Sequence, residues 1–328
     1  MKILALTSGE PTLASTHFRL GQFIPSLAAA GTTLTLIPAK KFTAWHTLPT
    51  YDLVILQKRL MRSSWLKKLR SLTRTLIFDT DDAIWHPHGP PHSWFTQLRT
   101  HLRLRKILSL ADACTVPNEH LAAHLRPLTR RVATIPMALD WGNITPPAHS
   151  PSAPLRIGWA GAPVNLPYLT ALEPVLREIL TRHPTTELHI YCGTSPTWQA
   201  PLPFTQHPFS PGTEQAIVAT FHIGLLPLPD NPFAAGKSPI KALQYAACAI
   251  PCIASPIGAT QEIVRHQQTG LTATTPAEWL SALHLLITDP TARHRLGTAA
   301  HQHFLSHHTR TQAQNQMLTL WREISSQR

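Results

Sequence analysis

Residues 236–264 read GKSPIKALQYAACAIPCIASPIGATQEIV. Ile240 to Ala247 reads as a helix that starts after Pro239, and Cys252 to Ala254 as a short apolar strand beyond Pro251, so the stretch is one helix-to-strand unit. The chain has nine lysines, and Lys237 and Lys241 are the only two after Lys106. Four residues apart at a helix start, their ammonium groups fall on one side near the positive end of the helix dipole. Like charges there repel each other and the dipole. The pattern is therefore explained by a polyanion such as a diphosphate held between them, or by two solvated surface lysines.

Outward from this unit the same alternation continues. Strands are expected at Leu155–Trp159, Glu187–Cys192 and Phe221–Leu226, with helices at Tyr168–Thr181, Pro276–Thr288, Ala292–Ser306 and Gln312–Ser325. The first half repeats the pattern, with strands at Met1–Thr7, Thr33–Ile37, Asp52–Leu56, Thr75–Phe78, Ala111–Val116 and Arg131–Ile135. Its helices are Phe18–Ala30, stopped by Gly31, then Ser64–Leu72 and Glu119–Leu125. Repeated β-α units imply parallel, doubly wound sheets with helices on both faces. Pro146, Pro147, Pro151 and Pro154 crowd a stretch that reads as an interdomain linker. The expected fold is therefore α/β, two Rossmann-like doubly wound domains facing a cleft. The first covers residues 1–150 and the second 151–308, with 309–328 a helix packing back on the first.

Composition narrows the function. Of 328 residues 43% are hydrophobic and apolar segments recur throughout, which excludes disorder for most of the length. No apolar run reaches the ~18 to 20 residues of a membrane-spanning helix. Met1 to Gly9 has only a four-residue apolar stretch, too short for a secretory signal, so a cytoplasmic protein is expected. Cys114, Cys192, Cys248 and Cys252 lack any paired or zinc-binding spacing and read as buried free thiols. Neither GxGxxG nor a Walker loop is present. The loop Gly158-Trp159-Ala160-Gly161-Ala162-Pro163 follows a strand, and reads either as a phosphate-facing turn or as a tight turn alone.

The net charge of +12 is uneven: the first 150 residues carry 18 Lys and Arg against 8 Asp and Glu, the rest 11 against 9. Residues 58–74 hold Lys58, Arg59, Arg62, Lys67, Lys68, Arg70 and Arg74 around an apolar stripe of Trp65, Leu66, Leu69 and Leu72, and Arg99, Arg103, Arg105 and Lys106 follow at 99–106. The apolar stripe belongs on a sheet, so a polybasic outer face remains. Such a face suits an anionic membrane surface held electrostatically, or a nucleic acid; a generally basic composition is the plain alternative. No nucleic-acid recognition module is present.

The run from Gly236 to Val264 resembles the donor-binding signature of GT-B glycosyltransferases, the retaining group often labelled glycosyltransferase family 4, in a G-K…K-x-L-Q-Y variant. Leu155 to Pro163 is similar to the opening of that group's second domain, Phe221 to Pro229 to its F-D-I-G strand, and Ile77 to Trp85 to a Y-D-x-D-D-x-W segment of the first domain. Thr269 to Leu271 and Asp289 to Gly297 are similar to its tail. The resemblance implies a hexosyltransferase of the cell envelope polysaccharide kind, metal-independent, moving a sugar from a nucleotide-sugar to a glycan, lipid-linked or other hydroxyl acceptor, with retention. The nucleotide-sugar is a co-substrate and no cofactor is expected. Lys237 and Lys241 would neutralise the diphosphate, and Gly161, Gln244, Tyr245, Gly258 and Glu262 would surround the donor.

The chain departs from the pattern at several points. The paired glutamates of many relatives are Gly236 and Gln244 here, the acid of F-D-I-G is His222, and no basic pair follows Gly161. Asp79-Thr80-Asp81 is similar to the DxD of metal-dependent transferases, but the lysine pair favours neutralisation without metal. Asp81 and Asp82 are then candidates for acceptor hydroxyls, or a capping cluster before Trp85. His17 and Arg19 could reach phosphate or acceptor, or lie on the surface. His86, His88 and His92 read as a surface loop rather than metal ligands. A non-catalytic GT-B sugar-nucleotide-binding protein and a basic nucleic-acid-binding protein are the rival readings.

Overall fold

A computed structural model describes residues 1–89, 92–141, 154–210 and 212–326. The chain divides into two units, one of residues 1–138, 231–238 and the closing helix Arg310–Ser326, the other of 139–230 and 239–309. The proline-rich linker expected around 146–154 lies outside the described residues except for Pro154.

The first unit holds six strands, β1 (Lys2–Thr7), β2 (Thr33–Pro38), β3 (Leu53–Gln57), β4 (Leu76–Asp79), β5 (Ala113–Val116) and β6 (Val132–Thr134). They form one parallel sheet in the order β2-β1-β3-β4-β5-β6, with Leu4 opposite Thr35 and Val54, and Phe78 opposite Leu56 and Cys114. β3 and β4 are buried along their whole length. That is why they read as unbroken apolar runs rather than alternating ones. One face is covered by the helices Ser63–Leu72 and Trp94–Leu110 and by Glu119–Leu125, the other by residues 20–27 and the closing helix. On that second face Ala313, Met317, Leu320 and Trp321 pack with Ile3, Ala5, Leu53 and Ile77.

The second unit has β7 (Leu155–Ala160), β8 (Thr186–Cys192), β9 (Thr205–Pro208), β10 (Ile223–Leu226), β11 (Cys252–Ala254) and β12 (Gly270–Thr272), again all parallel, in the order β12-β11-β10-β7-β8-β9. Two successive strands extend outward on one side of β7, and three on the other. That is the dinucleotide-binding order, whereas the first unit has the flavodoxin-like one. Together the two sheets are the doubly wound pair of the GT-B fold.

The expected helix Phe18–Ala30 is instead Ala14–Arg19 followed by Ile24–Ala29, broken where Leu20 leaves helical geometry and Pro25 opens the next turn. Gly31 ends the second piece at φ +72°, the left-handed stop expected of it. The strands β9 and β12, and the helix Trp94–Leu110, were not foreseen. Both strands are edge strands too short for a clear period, and the helix splits its apolar residues between two faces.

Candidate functional site

In parallel sheets of this kind ligands meet the carboxyl ends of strands, at the point where strand order reverses. In the first unit that point lies between β1 and β3. Lys58, the first residue beyond β3, stands at φ +57°, a left-handed conformation that costs a non-glycine residue about 1–3 kcal/mol. Its N–H still donates to the Asp79 carbonyl at 2.8 Å, so the ladder with β4 continues while the side chain turns across the strand ends. There its ammonium pairs with Asp81 at 3.0 Å and with the Asp82 carboxylate, and reaches the Ser15 hydroxyl at 3.4 Å.

Residues 231–238 complete this group. A Cβ on Gly236 would stand 2.6 Å from Ala83 Cβ and 2.8 Å from Leu121, so only glycine lets the segment lie this close. The Ser238 hydroxyl donates to the Asp81 carbonyl at 3.0 Å. These contacts group the segment with the first unit. Burial raises the Asp82 carboxyl above its usual range, with the neighbouring Asp81 charge adding to it, against the pull of Lys58 and Lys237. Asp81 is buried too, but Lys58, a hydrogen bond from Ser15 and the Arg19 charge outweigh burial and hold it below. Lys58 itself is raised, because its two carboxylates outweigh the burial that would lower it. Within the pair the surroundings favour the anion at Asp81 and the neutral acid at Asp82.

Arg19 does not join them. It is buried, with Nη2 at 2.5 Å and Nε at 3.3 Å from the Asp79 carboxylate and Nη1 donating to the Ile135 carbonyl at 2.7 Å. Asp79 also accepts from the Thr115 hydroxyl at 2.7 Å. The expectation that Arg19 reaches a phosphate is corrected: its guanidinium ties β4 to the chain beyond β6. The same contacts hold the buried Asp79 carboxylate between Arg19 and Thr115. His17 is exposed.

In the second unit the order reverses between β7 and β10, whose ladder is only two pairs long, Ile157 with Ile223 and Gly158 with Gly224. Beyond it the Tyr245 phenol enters. It accepts the Ala160 N–H at 3.1 Å and donates to the Leu225 carbonyl at 3.3 Å. Glycine at 224 makes room, since a Cβ there would come within 2.4 Å of the Tyr245 ring. Gly161 follows directly, its N–H donating to the Tyr191 carbonyl at 3.1 Å.

Lys241, in the first turn of the helix Ile240–Ala247, is ion-paired with Glu214, a residue the sequence reading passed over. Lys237 stands before that helix, in the segment grouped with the first unit, so the two lysines do not share one helical face. Gln244 and Tyr245 are fully buried in the core side of the helix. The Tyr245 hydroxyl is bonded to backbone, and neither polar atom of the Gln244 amide has a partner. Gly258 adopts φ +47° in the loop after β11, and Glu262 is exposed in the short helix Thr260–Ile263.

The basic stretch is also redistributed. Lys58 and Arg59 turn inward, Arg59 onto the Ser8 carbonyl, Lys68 lies 4.4 Å over the Trp45 ring, and Arg70 pairs with Asp112 at 3.6 Å. Leu66 and Leu69 are buried as the apolar stripe predicts. All four cysteines are buried and free, and burial pushes the Cys248 thiol up to about 12. Among the described residues no group of three or more His, Cys, Asp or Glu is arranged to hold a metal ion, and no helix is long and apolar enough to cross a membrane.

Solved structures of similar fold span essentially the whole chain. A sucrose-phosphate synthase from Thermosynechococcus elongatus aligns at a TM-score of 0.76 and 17% identity, covering 100% of this chain and 99% of its own. Anabaena HepE in complex with UDP aligns at 0.68 and 16%, covering 98% and 100%. The lipopolysaccharide outer core galactosyltransferase WaaB, in its apo form, aligns at 0.65 and 11%, covering 97% and 99%. No curated protein matches the sequence. Residues 169–289, most of the second unit of this GT-B fold, match the family model described as glycosyl transferases group 1.

Proposed function

We propose that the protein is a glycosyltransferase that takes a sugar from a nucleotide-sugar held by the second unit and transfers it to a hydroxyl acceptor met by the first. The observation that carries this is the group 1 family match over residues 169–289, which falls on the unit whose strand order is the nucleotide-binding one. HepE, similar in fold, is seen with UDP and with UDP and glucose. The donor diphosphate would lie at the carboxyl ends of β7 and β10, over Gly161 and toward Gly258.

Lys241 is the cation offered to the departing diphosphate. Glu214 holds it in place and yields it when a more highly charged partner arrives, since stabilising the leaving group supplies much of the rate. Lys237, Asp81 and Asp82 form the acceptor side, with Asp81 fixed as an anion by Lys58 and Asp82 able to receive a hydroxyl proton. The transfer proceeds with retention and without a metal ion, so activity survives EDTA. A glycan or lipid-linked acceptor at the cytoplasmic membrane surface fits the basic first unit.

A thermal-shift screen of UDP, GDP and ADP followed by assay of donor hydrolysis tests the reading. Stabilisation by one diphosphate together with slow sugar release supports it. Binding without release, under every acceptor tried, favours a sugar-nucleotide-binding protein, and the absence of both binding and release overturns both readings.

A further inference from the structure

The helix Trp94–Leu110 has two apolar faces. Leu104, Ile107 and Leu108 are buried against the sheet, whereas Trp94, Phe95, Leu98 and Leu102 are 63, 65, 50 and 58% exposed. At ~100° per residue these four fall within an arc of about 100° on the solvent side, all in the first half of the helix. The Trp94 and Phe95 rings stack on each other at 3.6 Å. Arg105 and Lys106 continue the same side toward the C-terminus. A groove of about 350 Å³ has Arg62, Arg99 and Arg103 in its lining together with Phe95, Leu98 and Leu102. No acidic residue occurs from Ala83 to Ala111.

Folded proteins seldom leave a contiguous apolar patch in water without a partner for it. We propose that this face docks on an anionic lipid bilayer, with Trp94, Phe95, Leu98 and Leu102 entering the boundary between headgroups and acyl chains and Arg62, Arg99 and Arg103 meeting lipid phosphates. Charge selects this occupant. Guanidinium groups match phosphate oxygens two at a time, and tryptophan favours the interface between water and lipid. A second copy of the chain is disfavoured, because a twofold contact through this face would bring the same arginines opposite one another. The attachment is therefore partly hydrophobic, and it centres on the helix Trp94–Leu110, with Arg62 the one contribution from the basic 58–74 stretch.

Topology links the patch to the carboxylates. The helix follows β4, and a crossover helix begins at the carboxyl end of the strand before it, so Trp94 to Leu102 start on the rim that carries Asp81 and Asp82. A lipid-linked acceptor presented from the bilayer would meet that rim; this clause alone rests on the glycosyltransferase reading.

Co-sedimentation with phosphatidylcholine vesicles, with and without one-quarter phosphatidylglycerol, tests the docking. The wild type should bind the anionic vesicles at low salt and remain partly bound at roughly 0.5 M salt, where the Debye length is only a few Å. Combining Trp94→Ser, Phe95→Ser, Leu98→Ser and Leu102→Ser should lower partitioning roughly tenfold or more while leaving the melting temperature unchanged, because all four are exposed. Combining Arg62→Gln, Arg99→Gln and Arg103→Gln should remove the preference for anionic lipid. A wild type that never sediments with vesicles overturns the proposal, as does a serine variant that binds like wild type or one whose only change is loss of self-association. A diphosphate thermal shift on the same samples reports the donor site separately, so vesicle binding can fail while the enzymatic reading stands, and the reverse.

Discussion

The phenol oxygen of Tyr245 sits 3.1 Å from the amide nitrogen of Ala160, in the place where the β7–β10 ladder has already ended. One side chain thus completes the hydrogen bonding of two strands that separate at their carboxyl ends. The opening beside Gly161 is held by a helix residue rather than by the sheet. Tyr245→Phe keeps the ring and leaves the Ala160 N–H and Leu225 carbonyl buried without partners, so it should cost about 1–3 kcal/mol in urea unfolding. Gly224→Ala should be at least as damaging, because its new methyl would overlap the ring at 2.4 Å. A tyrosine variant as stable as wild type would show that water serves those groups equally well.

Gln244 gives the opposite expectation. A fully buried amide with no partner on either atom carries its desolvation cost uncompensated. Gln244→Met, similar in volume and apolar, should be neutral or raise stability by up to about 1–2 kcal/mol, and leave nucleotide affinity unchanged. A thermal melt and a UDP titration decide it; a marked loss of nucleotide affinity would return Gln244 to the donor site.

Lys58→Ala removes the cation between the buried Asp81 and the half-buried Asp82 carboxylates. In the wild type Asp81, with its carboxyl depressed, contributes stability above its unfolded value of 3.8 and loses it as pH falls through the lower folded value. Without Lys58 burial dominates and the folded carboxyl rises, so the variant is most stable below the unfolded value and loses stability as pH climbs. The deficit should reach about 3–5 kcal/mol at neutral pH and narrow toward pH 4. Melts across pH 4 to 8 measure the gap; one that widens on acidification contradicts the pairing.

Lys241 and Glu214 can be separated by a pair of changes. Lys241→Ala should weaken diphosphate binding by about 2–5 kcal/mol and abolish transfer. Glu214→Gln leaves the ammonium in place without its competitor, and should bind the diphosphate as well as wild type or better. Calorimetric titration of both variants distinguishes a ligand-facing lysine from a purely structural ion pair, for which neither change would alter affinity.

Much of the fold is legible because parallel strands buried on both faces are written as apolar blocks such as LVIL at 53–56, and because Gly31 and the proline at 276 punctuate helices. Side-chain direction is less so. Arg19, read as reaching a phosphate or lying on the surface, and Asp79, read within a DxD-like triplet, pair with each other across sixty positions of sequence that no local pattern connects. Gln244 and Tyr245 stand on the buried side of a helix whose apolar neighbours hid that fact. Lys58 was counted in a basic run when its position, one residue past a strand, was the better clue. The exposed half of Trp94–Leu110 was invisible for a similar reason: apolar residues on two faces cancel in any periodic reading.

The closing helix bears on the order in which this molecule is made. Trp321, Met317 and Leu320 cover a face of the first sheet that includes Ile3 and Leu53, so these strands wait uncovered for side chains made long after them. The interval before Arg310–Ser326 emerges during synthesis is when the apolar underside of β1 and β3 is open to chaperones or to misassembly.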